Sequence, residues 1–195
     1  MPDLLAQGQR RAEADGLPMV SRVADAEELP FEDGALYVAL STYGVMFAPN
    51  QPRAAAELLR VTRSGGRIGL ASWTPEGFIG ELFRLVGRFV PPPAGLTSPA
   101  AWGTETRMVE LFGPKASDIH TERKHYVFRY LSAEHWIDVF RTYYGPVHKA
   151  FAALQPPQQE AFHQAIAGLL GKLNRGGAGS LVVPAEYLEV VITKS

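Results

Sequence analysis

The feature that most constrains the fold is a strand, helix and strand pattern between residues 35 and 73. Residues 35–41 (ALYVALS) form a nearly continuous apolar run, which is typical of a strand in a sheet covered on both faces. Residues 52–62 place apolar side chains at helical spacing, with Pro52 in the first turn. Residues 67–73 predict a second strand after the turn at residues 64–66. Short connections between these elements predict a parallel α/β crossover.

The flanking sequence predicts further helices and strands around this unit. Helices are expected over residues 3–14, 77–89, 105–112, 133–144 and 158–173. Strands are expected over residues 19–24, 120–130 and 181–193, with Pro184 interrupting the last. Residues 90–99 contain four prolines, which predict a stiff loop that could act as a lid. Together these patterns predict an α/β core with a helical accessory and lid region.

The composition excludes several functional classes. The 19 basic and 20 acidic residues balance, and no Lys/Arg block is present, so we expect neither nucleic acid nor an anionic membrane as a partner. The absence of cysteine excludes a disulfide scaffold, a thiol nucleophile and thiolate metal ligands. No run approaches the roughly 20 apolar residues of a membrane span, and residues 1–9 lack the pattern of a secretion signal. We therefore expect a cytoplasmic protein.

Three segments carry a resemblance to a known family. They are residues 23–31 (VADAEELPF), 39–47 (ALSTYGVMF) and 59–68 (LRVTRSGGRI). In this order and at these separations they resemble the ubiquinone/menaquinone-type, methyltransferase type 11-like branch of the class I S-adenosylmethionine-dependent methyltransferases. The resemblance implies a Rossmann-like sheet and S-adenosylmethionine as the cofactor.

The resemblance also implies which residues contact the cofactor. The Asp25 carboxylate would accept a hydrogen bond from the exocyclic amine of adenine, and the backbone amide of Ala26 would donate to a ring nitrogen. Ser41, Thr42 and Tyr43 would lie at the carboxyl edge of the sheet, near the amino-acid end of the cofactor. The alternatives are a turn or helix-capping role for Asp25 and a strand terminus that satisfies its own turn for the other three.

The sequence departs from the family at the segments whose backbone approaches the cofactor closely and whose acidic residue binds the ribose hydroxyls. The family has a first strand with an acidic-Gly-x-Gly-x-Gly turn and a second strand that ends in an acidic residue, and neither precedes residue 3. We therefore expect a Rossmann-like methyltransferase sheet without its first two strands, and weakened or lost cofactor binding. The strand at residues 35–41 would then have a bare edge, which predicts a homodimer through that edge or insertion of residues 19–24 into the gap.

Aromatic residues are the candidates for contacting the methyl acceptor. Trp73, Tyr143 and Tyr144, together with Trp102, could line an apolar pocket, although aromatic residues at such positions also serve as core. The five histidines show no metal-ligand spacing, so we expect no metal site. Methyl transfer from an activated sulfonium depends largely on positioning, and no residue is identified as catalytic.

These observations leave two functions open. The first is S-adenosylmethionine-dependent methyl transfer to a small apolar acceptor, impaired to some degree by the missing glycine-rich turn. The second is a non-catalytic, truncated methyltransferase-like protein that acts as an oligomerisation or interaction module. In either case we expect a cofactor-core remnant over residues 1–75, a helical and lid region on the substrate side over 76–180, and a closing strand over 181–195.

Overall fold

The computed structural model describes residues 2–177 and 179–195. One four-stranded sheet is formed by β1 (Leu36–Thr42), β2 (Thr62–Trp73), β3 (Ala116–Tyr130) and β4 (Leu181–Lys194). The helices of the described residues are α1 (Pro2–Ala14), α2 (Gln51–Val61), α3 (Phe78–Phe89), α4 (Glu105–Phe112), α5 (Ala133–Tyr143), α6 (Gly145–Ala153) and α7 (Pro156–Leu173). The α/β class predicted from the sequence is confirmed. Within the described ranges, no helix has the length and apolar character needed to cross a membrane.

The strand order is β1-β2-β4-β3. β1 and β2 are parallel and are joined by α2, as the strand, helix and strand pattern predicted. β4 lies between β2 and β3 and is antiparallel to both. Because β2 pairs with β4 only from Tyr187 to Thr193, the first half of β4 extends beyond β2 as a two-stranded ribbon with β3. Pro184 lies in that ribbon, where it has no neighbour on the β2 side, and it does not interrupt the strand.

β4 changes its buried face halfway along its length. In the first half the odd-numbered residues are buried, and in the second half the even-numbered residues are buried: Leu181, Val183, Ala185, then Leu188, Val190, Ile192. The first set packs toward a helical lobe formed by α3, α5, α6 and α7. The second set lies on the face of the sheet that α2 and α4 cover, in register with Ile68 and Leu70 of β2. One strand therefore contributes to the packing on both sides of the sheet.

β1 is much less covered than the sequence predicted. Ala39 is buried, whereas Tyr37, Val38 and Leu40 are 54%, 46% and 77% exposed. The expectation of a strand covered on both faces is therefore wrong for β1, because Tyr37 on one face and Val38 and Leu40 on the other remain exposed. The predicted strand at residues 19–24 is also wrong, since this segment is irregular and does not enter the sheet. The outer edge of β1 consequently pairs with no described strand.

Other differences from the predicted elements are local. β2 begins at Thr62, so the predicted turn at residues 64–66 is part of the strand. Gly65 has a φ of 72°, and a side chain at Gly66 would approach the carbonyl oxygens of Arg63 and Tyr37 to 2.8 Å. The glycine pair therefore has a structural role. Helix α6 was not predicted from the sequence.

Candidate functional site

The carboxyl end of the parallel strand pair brings predicted site residues together. Tyr43 follows β1, and its ring stacks on Trp73 at the end of β2, with centroids 4.0 Å apart and planes 6° from parallel. Tyr187 of β4 lies edge-on to both rings at 5.6 Å and 6.2 Å. Ligands in open α/β sheets bind at this edge. The structure thus joins one residue predicted for the cofactor, Tyr43, to one predicted for the acceptor, Trp73.

Tyr43 has an unusual backbone conformation. Its φ is 54°, the only positive φ at a non-glycine among the described residues, and its N–H donates to the carbonyl oxygen of Ala71 at 2.9 Å. Such a conformation costs on the order of 1–3 kcal/mol and persists only where the surroundings enforce it. Burial raises the pKa of the Tyr43 phenol to about 12, with Tyr187 adding to the effect. Tyr43 is therefore a neutral hydrogen-bond donor at physiological pH.

Ser41 and Thr42 differ in what they offer to a ligand. The hydroxyl oxygen of Ser41 accepts a hydrogen bond from the backbone N–H of Val45 at 2.9 Å, which fixes the turn after β1. This is the arrangement of a strand terminus that satisfies its own turn. Thr42 is exposed at the strand end.

Asp25 and Ala26 lie in a short turn before β1. The backbone N–H of Glu27 donates to Oδ1 of Asp25 at 2.9 Å, and Glu28 N–H donates to the Asp25 carbonyl oxygen at 3.1 Å. Asp25 is exposed and Ala26 packs against the core. Within the part of the chain that the structure describes, neither Asp25 Oδ2 nor the N–H of Ala26 has a protein partner. The turn therefore presents a free acceptor beside a free donor.

An ion pair on α2 anchors the segment that follows this turn. The Arg60 guanidinium donates to the carbonyl oxygens of Leu29 and Phe31 at 3.0 Å and 2.7 Å, and to the Asp33 carboxylate at 2.9 Å. It also binds Glu57 through both carboxylate oxygens, one of which accepts the N–H of Leu29 at 2.7 Å. Hydrogen bonds from Arg60 lower the pKa of Glu57 to about 2. This pair was not predicted, although its i, i+3 spacing on an amphipathic helix was a usable signal.

A second set of hydrogen bonds fixes the turn itself to the start of α2. The backbone N–H of Asn50 donates to a Glu27 carboxylate oxygen at 2.6 Å, and Arg53 Nε donates to the Glu27 carbonyl oxygen at 2.7 Å. The position of Asp25 and Ala26 is therefore set by α2.

The other residues predicted to contact the acceptor lie apart from the strand ends. Tyr143 is 82% exposed on α5. Tyr144 packs on Phe140, its hydroxyl is buried without a partner among the described residues, and burial raises its pKa. Trp102 is fully buried against Phe112. The structure does not bring Tyr143 or Tyr144 to the Tyr43 and Trp73 stack.

An apolar cleft that the sequence reasoning missed lies just beyond Tyr43. It has a volume of about 460 Å³ and is bounded by the turn after β1, by α3 and by the proline-rich loop. Its apolar walls include Met46, Phe47, Phe83, Val86, Val90 and Leu96. The strongly amphipathic pattern of α3 was the available signal, but it did not show which apolar residues face a cavity.

Metal ligation has no support among the described residues. No group of three or more His, Asp or Glu side chains is placed to hold an ion. Of the histidines, His163 binds Glu134 at 2.8 Å and His148 Nδ1 lies 2.9 Å from the Arg141 carbonyl oxygen.

Comparisons with known proteins agree with the motifs. Residues 1–70 match the family described as "Methyltransferase domain". Uncharacterized proteins of Mycobacterium bovis and Mycobacterium tuberculosis are 43% identical over 155 residues, which are 78% of this chain and 57% of theirs. A demethylmenaquinone methyltransferase of Thermus thermophilus is 35% identical over 96 residues, which are 48% of this chain and 44% of that protein. The chain thus spans just over half the length of the mycobacterial relatives it matches.

Solved structures share the fold at low sequence identity. The YcgJ protein of Bacillus subtilis matches all of this chain and 80% of its own, with a TM-score of 0.60 and 15% identity. A Bacillus halodurans protein assigned as a methyltransferase matches over the same shares, with a TM-score of 0.59 and 16% identity. The three sequence segments agree with the match of residues 1–70 to the methyltransferase domain family, and the whole chain shares the Rossmann-like fold of these solved structures.

Proposed function

We propose that this chain takes part in S-adenosylmethionine-dependent methyl transfer to a small apolar acceptor. The observation that carries the proposal is the acceptor and donor pair of Asp25 Oδ2 and Ala26 N–H, held by the anchored turn. A carboxylate oxygen beside an amide N–H complements the amine and neighbouring ring nitrogen of adenine. The match of residues 1–70 to the methyltransferase domain family and the resemblance of the three segments support the same cofactor.

The residues fit one part of the cofactor better than the rest. The adenine edge has a matching pair, whereas the Ser41 hydroxyl oxygen is already engaged by Val45. Among the described residues, the ribose and the amino-acid end of the cofactor have no comparably matched acceptor and donor pair. Each lost hydrogen bond is worth on the order of 1–3 kcal/mol when a charge is involved, and weak binding is the expected result.

Positioning is the role that the remaining residues support. Bound S-adenosylmethionine supplies an activated methyl group on its sulfonium. The Tyr43 and Trp73 stack would exclude water from the strand ends, and the neutral Tyr43 phenol would orient a polar atom of the acceptor without removing its proton. The proposal names no general base.

Isothermal titration with S-adenosylmethionine and with its demethylated product tests the proposal. We expect saturable binding that Asp25→Ala weakens about tenfold, since one charge-assisted hydrogen bond is lost. Glu32→Ala is the matched control, because it removes an exposed carboxylate from the same stretch of chain. Absence of binding at millimolar cofactor, or equal effects of the two substitutions, contradicts the proposal.

A second candidate function is a non-catalytic oligomerisation or interaction module, and the β1 edge favours it. β1 has no partner on its outer side among the described strands, and it exposes Tyr37, Val38 and Leu40. An exposed apolar edge is a template for pairing with another chain. We propose a homodimer joined through β1, and sedimentation velocity across a wide range of protein concentrations tests it. A protein that stays monomeric throughout contradicts the homodimer.

Organisation and location are part of the same proposal. We propose a cofactor-core remnant over residues 1–75, a substrate-side helical and lid region over 76–180 and a closing strand over 181–195. The Tyr43 and Trp73 stack within the first range and the cleft contributed largely by the second range support this division. We also propose a cytoplasmic location, which cell fractionation with an antibody against the chain would test.

A further inference from the structure

The cleft between the turn after β1, helix α3 and the proline-rich loop has one wall that is fixed by side-chain hydrogen bonds. Gln51 is 2% exposed, and its side-chain amide donates to the carbonyl oxygens of Ser98 and Thr97 at 3.1 Å and 3.5 Å. Its own amide oxygen accepts from Arg107 Nε at 3.1 Å. A buried amide with both ends engaged fixes the end of the loop relative to α2. The wall of the cleft that the proline-rich loop forms is therefore held in place by these hydrogen bonds.

The wall formed by the turn after β1 and by α3 is aromatic and partly exposed. Phe47 and Phe83 meet edge to face with their ring centroids 5.8 Å apart, and Phe47 remains 39% exposed. Across the cleft, Leu96 is 45% exposed. Exposing apolar surface to water is unfavourable, so a ligand that covers these side chains gains binding energy from its own apolar area.

The chemistry of the walls defines the class of ligand. Among the described residues that line the cleft there is no acidic side chain, and the one charged residue, Arg84, donates to the carbonyl oxygen of Pro75 at 2.6 Å. The volume of about 460 Å³ lies within the usual range for small-molecule sites. The cleft suits an uncharged, largely apolar ring or chain.

The location of the cleft connects it with the strand ends. Met46 and Phe47 in its wall come three and four residues after Tyr43, whose ring closes the end of the parallel pair. We infer that the cleft lined by Met46, Phe47, Phe83, Val86, Val90 and Leu96 is the binding site of an uncharged apolar small molecule, which is the methyl acceptor. Only the identification with the acceptor rests on the proposed function.

Gly87 allows the cleft to be filled without harm to the fold. It lies in α3 on the cleft wall, and a Cβ there would meet only Pro92 Cδ, at an ordinary 3.9 Å. Gly87→Leu therefore extends a side chain into the cleft while replacing a glycine by a better helix former. Gly171→Leu is the matched control, since Gly171 is an exposed glycine of α7 with no atom within 4 Å of the added Cβ.

The test is a fluorescence titration with the uncharged apolar probe N-phenyl-1-naphthylamine, in the absence of cofactor. We expect saturable binding to the unmodified chain, at least about tenfold weaker binding to Gly87→Leu, and a change below about twofold for Gly171→Leu. Leu96→Asp, at an exposed loop position, should also weaken binding of the probe, and it leaves the packed core unchanged. Melting temperatures confirm that each variant is folded.

The outcomes separate this inference from the proposed function. No saturable binding of the probe, or unchanged affinity in both Gly87→Leu and Leu96→Asp, overturns the cleft as a ligand site. Probe binding that depends on Gly87, together with no binding of S-adenosylmethionine, keeps the cleft and overturns the methyl-transfer function. Cofactor binding without probe binding keeps the methyl-transfer function and overturns the cleft as a ligand site, and the acceptor then binds elsewhere.

Discussion

Strands β1 and β4 lie in the same sheet, yet the chain covers them to very different extents. β4 has hydrogen-bonded neighbours on both sides and six apolar residues that are at most 2% exposed. β1 has one neighbour and exposes Tyr37, Val38 and Leu40. The helical lobe and the β3–β4 ribbon therefore bury each other's apolar side chains. β1, which ends at the proposed cofactor site, is the least buried of the strands compared. A fully packed strand and a strand with an open outer edge are thus separated by β2 alone.

The largest expected effect is a difference in stability between the two strands. Leu188→Ala should lower the free energy of unfolding by about 2–5 kcal/mol, because it leaves a cavity at a fully buried position of β4. Leu40→Ala on β1 should change it by less than about 0.5 kcal/mol, because that side chain is 77% exposed. Urea unfolding at low protein concentration, where association is suppressed, measures both. Equal losses of unfolding free energy in the two variants would contradict the difference in packing between β1 and β4.

The next effect concerns self-association. Leu40→Lys should weaken the proposed homodimer by at least about tenfold, because two copies of the charge would face each other across a joined β1 edge. Leu131→Lys is the matched control, since Leu131 is also 77% exposed but lies beyond the end of β3. Sedimentation equilibrium gives the dissociation constants. A dimer that is insensitive to Leu40→Lys would move the interface away from β1.

The smallest effect concerns the Arg60 and Glu57 ion pair, which anchors the segment after the Asp25 turn. Because Arg60 lowers the pKa of Glu57 from 4.5 to about 2, the ionised carboxylate stabilises the fold above about pH 4.5, and this contribution is lost as the pH falls toward 2. Glu57→Gln should cost less than about 1 kcal/mol near pH 7, given partial solvent screening. Its deficit relative to the unmodified chain should shrink between about pH 5 and pH 3.

Unfolding free energies measured at several pH values check this prediction, with Glu32→Gln as the exposed control. A deficit that is independent of pH would mean that Glu57 acts through packing, so the segment after the Asp25 turn would not depend on an ion pair.

Local patterns in the sequence predicted the elements well but not their surroundings. The α4 boundaries matched, and the strand, helix and strand unit formed as expected, because propensity, turn residues and apolar spacing agreed there. The apolar run at residues 35–41 reported β1 correctly but not its exposure, since hydrophobic content alone does not reveal which faces find partners. Residues 19–24 form no strand although the outer edge of β1 is open, because β-propensity depends on packing against neighbouring side chains and Val20 and Val23 remain exposed.

The candidate site was predictable only where a motif carried it. Asp25 and Ala26 were identified through the family segments, and the Tyr43 and Trp73 stack depends on strand register that the sequence does not state. The apolar cleft combines residues from β1's following turn, α3 and the loop, and only tertiary packing brings those segments together. Tyr143 and Tyr144 are adjacent in sequence, yet one is exposed and the other half-buried, because a helix end turns neighbours in different directions.

The change of buried face along β4 has a consequence for cooperativity. A slip of one residue in the pairing of β3 and β4 would turn Val183 and Val190 outward at the same time, so the cores on the two sides of the sheet would be lost together. Partial opening of the lobe is therefore opposed by the sheet, and the two should exchange their amide hydrogens as one unit. A molecule that binds in the apolar cleft beside α3 would stabilise the lobe, and through the shared strand β4 it would also slow the opening of the sheet.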